Sequence, residues 1–124
     1  MLKDILLIED DPDVREALAE ALSEVGYRVI AAAGGQEALD YLNTARVPPG
    51  LILLDLLMPV MDGWEFRAQL ARTGSNADIP VVVLSAETVP ADRMERLGAR
   101  DYLRKPINLA QLRAVAERFS GKPS

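Results

Sequence analysis

The chain has 124 residues, of which 49% are hydrophobic, and a formal net charge of −5, so we predict a single domain with one continuous core. It contains neither cysteine nor histidine, which excludes a disulfide framework, a thiol nucleophile, a zinc cluster of the usual kind and a Ser-His-Asp triad. No transmembrane run or secretory leader is visible, and we therefore expect a cytoplasmic protein that does not contact the membrane.

The charge is distributed unevenly along the chain. Residues 1–90 contain 15 acidic and 6 basic residues, whereas residues 91–124 contain 4 acidic and 8 basic residues. The overall acidity argues against direct binding to nucleic acid. The basic last third could present one face to an acidic partner, although scattered arginines are more often simply solvated.

The first half of the chain alternates predicted strands with predicted helices. Aliphatic runs predict strands at residues 5–8, 27–32 and 51–54. Apolar residues at helical spacing predict helices at residues 12–25 and 36–45. Asp11 stands directly before Pro12, which is typical of a helix N-cap followed by proline in the first turn.

The second half continues the alternation. The remaining strands are predicted at residues 79–84 and 99–103. Three more helices are predicted. The first starts at Asp62, the second spans about residues 91–97, and the third starts at Asn108. The last helix is predicted to bury Leu109, Leu112, Val115, Ala116 and Phe119. Two segments are predicted to lack regular structure, namely the polar loop 73–78 and the loose tail 120–124.

Asp55 is the residue on which the functional interpretation depends. The aliphatic run 51–54 leads into it, so it should emerge where a strand buried on both faces ends, and ligands bind there in open α/β sheets. Pro59 and Gly63 are predicted to shape the loop beyond it. On position alone, Asp55 could be a metal ligand, a nucleophile, a helix cap or a solvated charge.

Five strands that alternate with five helices predict an α/β domain with a doubly wound parallel sheet. Because the carboxyl ends of parallel strands lie along one edge, that edge should collect Glu9, Asp10, Asp55, Ser85 and Lys105. Neighbouring carboxylates repel each other by ~1 kcal/mol per pair at about 4 Å in water. Lys105 can offset one charge and a hard divalent cation the rest, and Mg²⁺ suits such a site better than zinc, which usually binds histidine or cysteine.

These residue types could also accept a phosphoryl group. The cation and Lys105 would neutralise charge on the transferring oxygens, Asp55 would attack in line, and Ser85 would donate a hydrogen bond to a phosphoryl oxygen. In such a reaction, positioning and electrostatics carry most of the rate.

Four segments in this order, LLIEDD, LLDLLMPVMDG, VVLSA and DYLRKP, resemble the receiver domain of two-component response regulators, and the stand-alone chemotaxis type is nearest in length. The resemblance covers essentially the whole chain, with a receiver domain at residues 1–119 and a tail at 120–124. It implies a flavodoxin-like (β/α)5 fold with five parallel strands in the order 2-1-3-4-5.

The resemblance also implies roles for the residues at the predicted edge. Asp55 would be the phosphoacceptor, and Mg²⁺ would be held by Glu9, Asp10, Asp55 and the backbone carbonyl of Leu57. Asp11 and Asp62 are interpreted as helix caps rather than as further ligands.

Three residues of the second half would respond to the phosphoryl group. By resemblance, Lys105 and Ser85 would bind its oxygens, and Tyr102 would turn inward when Ser85 moves. Tyr102 could instead be a static, half-buried aromatic. The bond between Lys105 and Pro106 would be cis.

The function implied is that of a phosphoacceptor that catalyses its own phosphorylation and dephosphorylation and is not otherwise an enzyme. Its phosphohistidine donor must be another molecule, by resemblance a sensor histidine kinase or a phosphotransfer protein. The signal would leave through the surface formed by the fourth helix, fifth strand and fifth helix, toward an acidic partner or a second copy of the chain. That surface contains Arg93, Arg96, Arg100, Arg104 and Arg113.

Two other classes are weighed against this one. A degenerate receiver without phosphotransfer is disfavoured because the acidic cluster, Ser85 and Lys105 are intact. A phosphatase of the haloacid dehalogenase type is disfavoured because that family has a second aspartate two residues after the first, at the position of Leu57. Whether the chain acts alone or continues beyond Lys122 in a longer protein is left open.

Overall fold

The computed structural model describes residues 2–57, 61–72 and 74–123. Three predictions concern residues outside this part of the chain. They are Pro59 as a loop-shaping residue, Thr73 as the start of the polar loop, and Ser124 as the end of the tail.

Within the described residues, five strands alternate with five α-helices. The strands are β1 (Ile5–Ile8), β2 (Val29–Ala32), β3 (Leu51–Asp55), β4 (Val81–Ser85) and β5 (Asp101–Arg104). The helices are α1 (Pro12–Glu24), α2 (Gly35–Thr44), α3 (Gly63–Leu70), α4 (Ala91–Leu97) and α5 (Leu109–Ser120). All neighbouring strands pair in parallel in the order β2-β1-β3-β4-β5, so the predicted doubly wound, flavodoxin-like sheet is confirmed.

The sheet is buried on both faces because its central strands are aliphatic at successive positions. In β1, Leu6 and Ile8 pack with the apolar side chains of α2 and α3, whereas Ile5 and Leu7 pack with those of α1 and α5. A smaller cluster beneath α4 includes the half-buried Tyr102. The helices therefore cover the two faces and leave the carboxyl ends of the strands uncovered.

Three helices begin at the predicted side-chain caps. The carboxylate of Asp11 accepts from the backbone N–H of Asp13 and Val14 at the start of α1. Asp62 and Asn108 each accept from the N–H three residues later, at 2.9 and 3.0 Å. The carboxylates of Asp11 and Asp62 are therefore both engaged in capping, which supports their interpretation as caps.

Strands β2, β4 and β5 begin two residues later than predicted, because the residues before them bond to the preceding helix or lack an N–H. The N–H of Tyr27 donates to Leu22 at the end of α1, and the N–H of Ala99 donates to Met94 at the end of α4. Pro80 has no N–H to contribute to β4. Tyr27 and Ile79 are buried and Ala99 is half-buried, but all three lie before the first residue of their strands.

Three predictions in the second half are wrong. The segment Gly74–Asp78 is a 3-10 helix rather than an irregular loop, because a short polar connector can close i to i+3 hydrogen bonds. Leu109 is 50% exposed, since it lies in the first turn of α5 and the buried stripe begins at Leu112. Ser120 belongs to α5 rather than to the tail: it is buried, and its carbonyl accepts from the N–H of Lys3 at 2.8 Å.

Among the described residues, no helix combines the length and the apolar character that crossing a membrane requires.

Candidate functional site

The register of the sheet brings the predicted side chains to one level. Ile8 of β1 lies beside Leu54 of β3, so Glu9 and Asp55 emerge together. Asp55 pairs with Leu84 of β4, and Ser85 pairs with Arg104 of β5. Asp55 and Ser85 are the last residues of their strands, Glu9 and Lys105 are the first residues after theirs, and Asp10 is the second residue after β1.

Three carboxylates converge at this edge. Glu9, Asp10 and Asp55 each present one oxygen, and these oxygens all lie within 4.8 Å of one another. Glu9 is completely buried and Asp55 is only 5% exposed, whereas Asp10 is half-buried. Negative charges so close together and so far from water require compensation.

Lys105 provides part of that compensation. Its ammonium group forms a salt bridge with Oε1 of Glu9 and lies 3.6 Å from Oδ2 of Asp55. The peptide bond between Lys105 and Pro106 is cis, as the resemblance implied. One ammonium group faces three carboxylates, so the cluster still carries excess negative charge when all three are ionised.

The electrostatics of the cluster act most strongly on Asp55. Burial, followed by the hydrogen bond and the negative charge of Glu9, raises the pKa of Asp55 from 3.8 to about 7. The charge of Lys105 and the N–H of Leu57 act in the opposite direction. Burial lowers the pKa of Lys105, but its hydrogen bonds and charge interactions with Glu9 and Asp55 outweigh burial and raise it overall.

The raised pKa of Asp55 makes stability depend on pH. The stabilising contribution of the protonated carboxyl is complete below the unfolded pKa of 3.8 and is lost as the pH rises toward about 7. In metal-free buffer, Asp55→Asn should therefore increase the free energy of unfolding by about 2 kcal/mol at pH 8 and hardly change it near pH 4. Urea unfolding of both proteins in EDTA measures the difference. A gain that is equal at the two pH values would contradict the electrostatic explanation.

The donor set suits a hard divalent cation. All three converging side chains supply carboxylate oxygens, the ligands that Mg²⁺ binds in proteins, and two of them are held in place by burial. The charge left after pairing with Lys105 favours a cation at this position. The side chains present therefore fit Mg²⁺.

Leu57 lies at the mouth of the site. Its N–H donates to Oδ1 of Asp55 at 3.2 Å. Its side chain is 68% exposed. An exposed apolar side chain next to a buried carboxylate offers no hydrogen bond to a water molecule near Asp55.

Ser85 and Tyr102 lie on the side of the site toward α4. The Oγ of Ser85 accepts from the N–H of Glu87 at 3.1 Å, and its own hydrogen is donated to no atom of the described residues. Ser85 also lines a cavity of about 120 Å³ together with Leu57, Trp64 and Arg93. Tyr102 is half-buried and packs against the cluster beneath α4.

Sequence reasoning missed one residue that contacts the site. Arg15 of α1 donates to the backbone carbonyls of Glu9 and Asp10. Its position in the chain is that of an ordinary polar residue on a helix surface, and no spacing rule distinguishes it from the exposed arginines. The contact became visible only once the turn between β1 and α1 was placed.

A comparison with protein-family models matches residues 5–117 to the response regulator receiver domain. Among curated proteins, the chain is 44% identical over 112 residues to the response regulator MprA of Mycolicibacterium vanbaalenii, covering 89% of this chain and 47% of that protein. It is 43% identical over 122 residues to MprA of a Mycobacterium species, covering 94% and 51%. The chain thus spans about half the length of the curated relatives it matches.

Solved structures show the same similarity. The chemotaxis protein CheY4 of Vibrio cholerae is 30% identical with a TM-score of 0.87, over 96% of this chain and 99% of that one. The receiver domain of the sensor histidine kinase PA1611 of Pseudomonas aeruginosa is 30% identical with a TM-score of 0.84, over 96% and 98%, and its structure has a magnesium ion coordinated in the active-site cleft.

Proposed function

Because the chain belongs to the response regulator receiver domain family of two-component systems, we propose that Asp55 accepts a phosphoryl group from a phosphohistidine on another protein. The chain contains no histidine, so a sensor histidine kinase or a phosphotransfer protein is the proposed donor. The observation that carries the proposal is the buried Asp55 carboxylate, with the ammonium of Lys105 at 3.6 Å and two further carboxylates converging on it.

In the proposed reaction, a carboxylate oxygen of Asp55 forms a bond to phosphorus while the bond between phosphorus and the donor's imidazole nitrogen breaks. The electron pair of the broken bond stays on the imidazole. Lys105 pairs with the phosphoryl oxygens, and the free hydroxyl hydrogen of Ser85 is donated to one of them. This proposal is supported by Lys105 already lying beside Asp55 and by the hydroxyl of Ser85, which donates to no atom in the described part of the chain.

Mg²⁺ is the proposed cofactor, held by Glu9, Asp10, Asp55 and the backbone carbonyl of Leu57. When bound, the cation supplies positive charge to the phosphoryl oxygens. Glu9 already pairs with Lys105, so this lysine can turn from Glu9 toward the incoming phosphoryl group once the cation offsets the charge of Glu9. The domain would then catalyse its own phosphorylation and dephosphorylation without acting on another substrate.

Incubation with acetyl phosphate and MgCl₂ tests the proposal. Intact-mass spectrometry should show a stable gain of one phosphoryl group per chain, and EDTA should prevent it. No gain from either acetyl phosphate or a phosphorylated histidine phosphotransfer protein would contradict the proposal. Release of many equivalents of inorganic phosphate per chain would indicate a phosphatase instead.

The exposed Leu57 predicts slow loss of the phosphoryl group. An apolar side chain cannot orient a water molecule for attack on phosphorus, whereas an amide can. Leu57→Asn should therefore shorten the half-life of the phosphorylated protein by about tenfold. Phosphate release from purified phosphoprotein measures it, with Val47→Asn, an equally exposed apolar residue elsewhere, as the control. An equal or longer half-life in Leu57→Asn would rule this explanation out.

We further propose that phosphorylation changes the surface formed by α4, β5 and α5. Added phosphoryl charge at Asp55 would attract the hydroxyl of Ser85 and free space into which Tyr102 can turn. The half-buried position of Tyr102 beneath α4 supports this role. The surface is basic, and its exposed arginines include Arg93, Arg96, Arg100, Arg104 and Arg113.

An acidic partner or a second copy of the chain should bind this basic surface. The double substitution Arg96→Glu and Arg100→Glu should weaken association of the phosphorylated protein by about tenfold at low salt. Sedimentation equilibrium measures self-association, and calorimetry measures partner binding. Arg28→Glu with Arg46→Glu makes the same change of charge elsewhere. Wild-type association that does not vary with salt would refute the electrostatic role.

A further inference from the structure

Arg15 reaches back from α1 over the turn that carries two of the three clustered acids. Its Nη1 donates to the backbone carbonyl of Glu9 at 3.0 Å and to that of Asp10 at 3.3 Å. Among the described residues, no backbone N–H donates to either carbonyl. Within the described residues, the carbonyl oxygens of Glu9 and Asp10 therefore accept their hydrogen bonds from Arg15.

Among the described residues, the other bonds of this turn are made at its two ends and by the carboxylate of Glu9, which pairs with Lys105 and accepts from the N–H of Asp11 at 3.5 Å. The N–H of Glu9 donates to the carbonyl of Ala32 at 3.1 Å, which closes the ladder with β2. Asp11 is committed to capping α1. Between these points, the side chains of Glu9 and Asp10 both approach Asp55 although their negative charges repel one another. A charged donor that bridges both carbonyls resists opening of the turn, because charge-assisted hydrogen bonds are stronger than neutral ones.

We propose that Arg15 is a positioning residue for the cation site, one that fixes the backbone of Glu9 and Asp10 so that their carboxylates converge with Asp55. The inference rests on the proposed function, since it assumes that this cluster binds Mg²⁺. Within the part of the chain that the structure describes, Arg15 forms no ion pair with a carboxylate. It therefore acts through the backbone rather than as a direct counter-charge or ligand.

If Arg15 acted only through its positive charge, it would weaken cation binding, whereas a positioning role strengthens it. Removing a positive charge about 8 Å from the cation makes Mg²⁺ binding tighter, by about fivefold in water without salt and by about twofold at physiological ionic strength. Loss of positioning makes binding weaker. The sign of the change therefore separates the two roles.

The experiment compares wild type with Arg15→Met, Arg15→Lys and the control Arg28→Met. Arg28 also donates through Nη1 to an oxygen, but to the carboxylate of Asp4 at the other end of the sheet. Isothermal titration calorimetry with MgCl₂ at constant ionic strength gives the dissociation constant, and circular dichroism confirms the fold at the titration temperature. We expect a dissociation constant about tenfold higher for Arg15→Met, about threefold higher for Arg15→Lys, and within about twofold of wild type for Arg28→Met.

A dissociation constant for folded Arg15→Met that equals or falls below the wild-type value overturns the inference. If Arg15→Met does not fold, Arg15→Lys decides, because it keeps the charge but is too short to bridge both carbonyls, and wild-type affinity in that variant also overturns the inference. If wild type itself binds no Mg²⁺, the proposed function fails, and the role of Arg15 fails with it. If wild type binds Mg²⁺, the proposed function stands, whatever dissociation constants the Arg15 variants give.

Discussion

Replacing Asp55 by asparagine is expected to abolish phosphoryl uptake, with less than about 1% of the wild-type rate remaining. The amide is nearly the same size as the carboxylate but is a far weaker nucleophile. It also keeps an oxygen that can accept the N–H of Leu57, the bond that Oδ1 of Asp55 makes at 3.2 Å. The local backbone should thus be preserved while the acceptor is lost, and intact-mass spectrometry after incubation with acetyl phosphate and MgCl₂ measures the result.

Asp62→Asn is the matched control for this substitution. Asp62 is also an aspartate, but it is exposed and its carboxylate caps α3 by accepting from the N–H of Glu65. Asparagine caps helices about as well as aspartate, so this variant should retain phosphoryl uptake. Full uptake by Asp55→Asn would show that another side chain is the acceptor, and peptide mapping of the phosphorylated protein would identify it.

Replacing Lys105 by methionine is expected to lower the free energy of unfolding by about 2–3 kcal/mol at pH 8 in metal-free buffer. The substitution leaves the buried carboxylate of Glu9 without the ammonium group that pairs with it and leaves Asp55 without its nearest positive charge. The remaining acids must then either stay charged away from water or take up protons. The loss should be smaller at pH 5, where protonation costs less, and MgCl₂ should restore part of the stability.

Lys122→Met is the control for Lys105→Met, since Lys122 is an exposed lysine beyond the last helix. Its substitution should change the free energy of unfolding by less than about 0.5 kcal/mol. Urea unfolding at pH 5 and pH 8, with EDTA or MgCl₂, gives all the required comparisons. Equal stability of Lys105→Met and wild type at pH 8 would mean that the ion pair with Glu9 contributes no net stability.

The site was more predictable than the boundaries of the elements. Asp55, Ser85 and Lys105 could be assigned to one edge because every parallel strand that returns through a helix points the same way. The starts of β2 and β5 could not be read from the sequence, because Tyr27 and Ala99 suit a strand but donate to the ends of the preceding helices. Apolar character indicates burial, and it does not distinguish a strand residue from a buried helix terminus.

The amino-acid sequence by itself determined the alternation of strands and helices, the caps at Asp11, Asp62 and Asn108, and the edge at which the polar residues gather. These features depend on local periodicity and chain direction, which neighbouring residues encode. Only the tertiary structure decided that Lys105 pairs with Glu9, 96 positions away along the chain, and that Arg15 bonds the carbonyls of the acidic turn. Such contacts depend on strand register and on the direction each side chain takes, which no local pattern specifies.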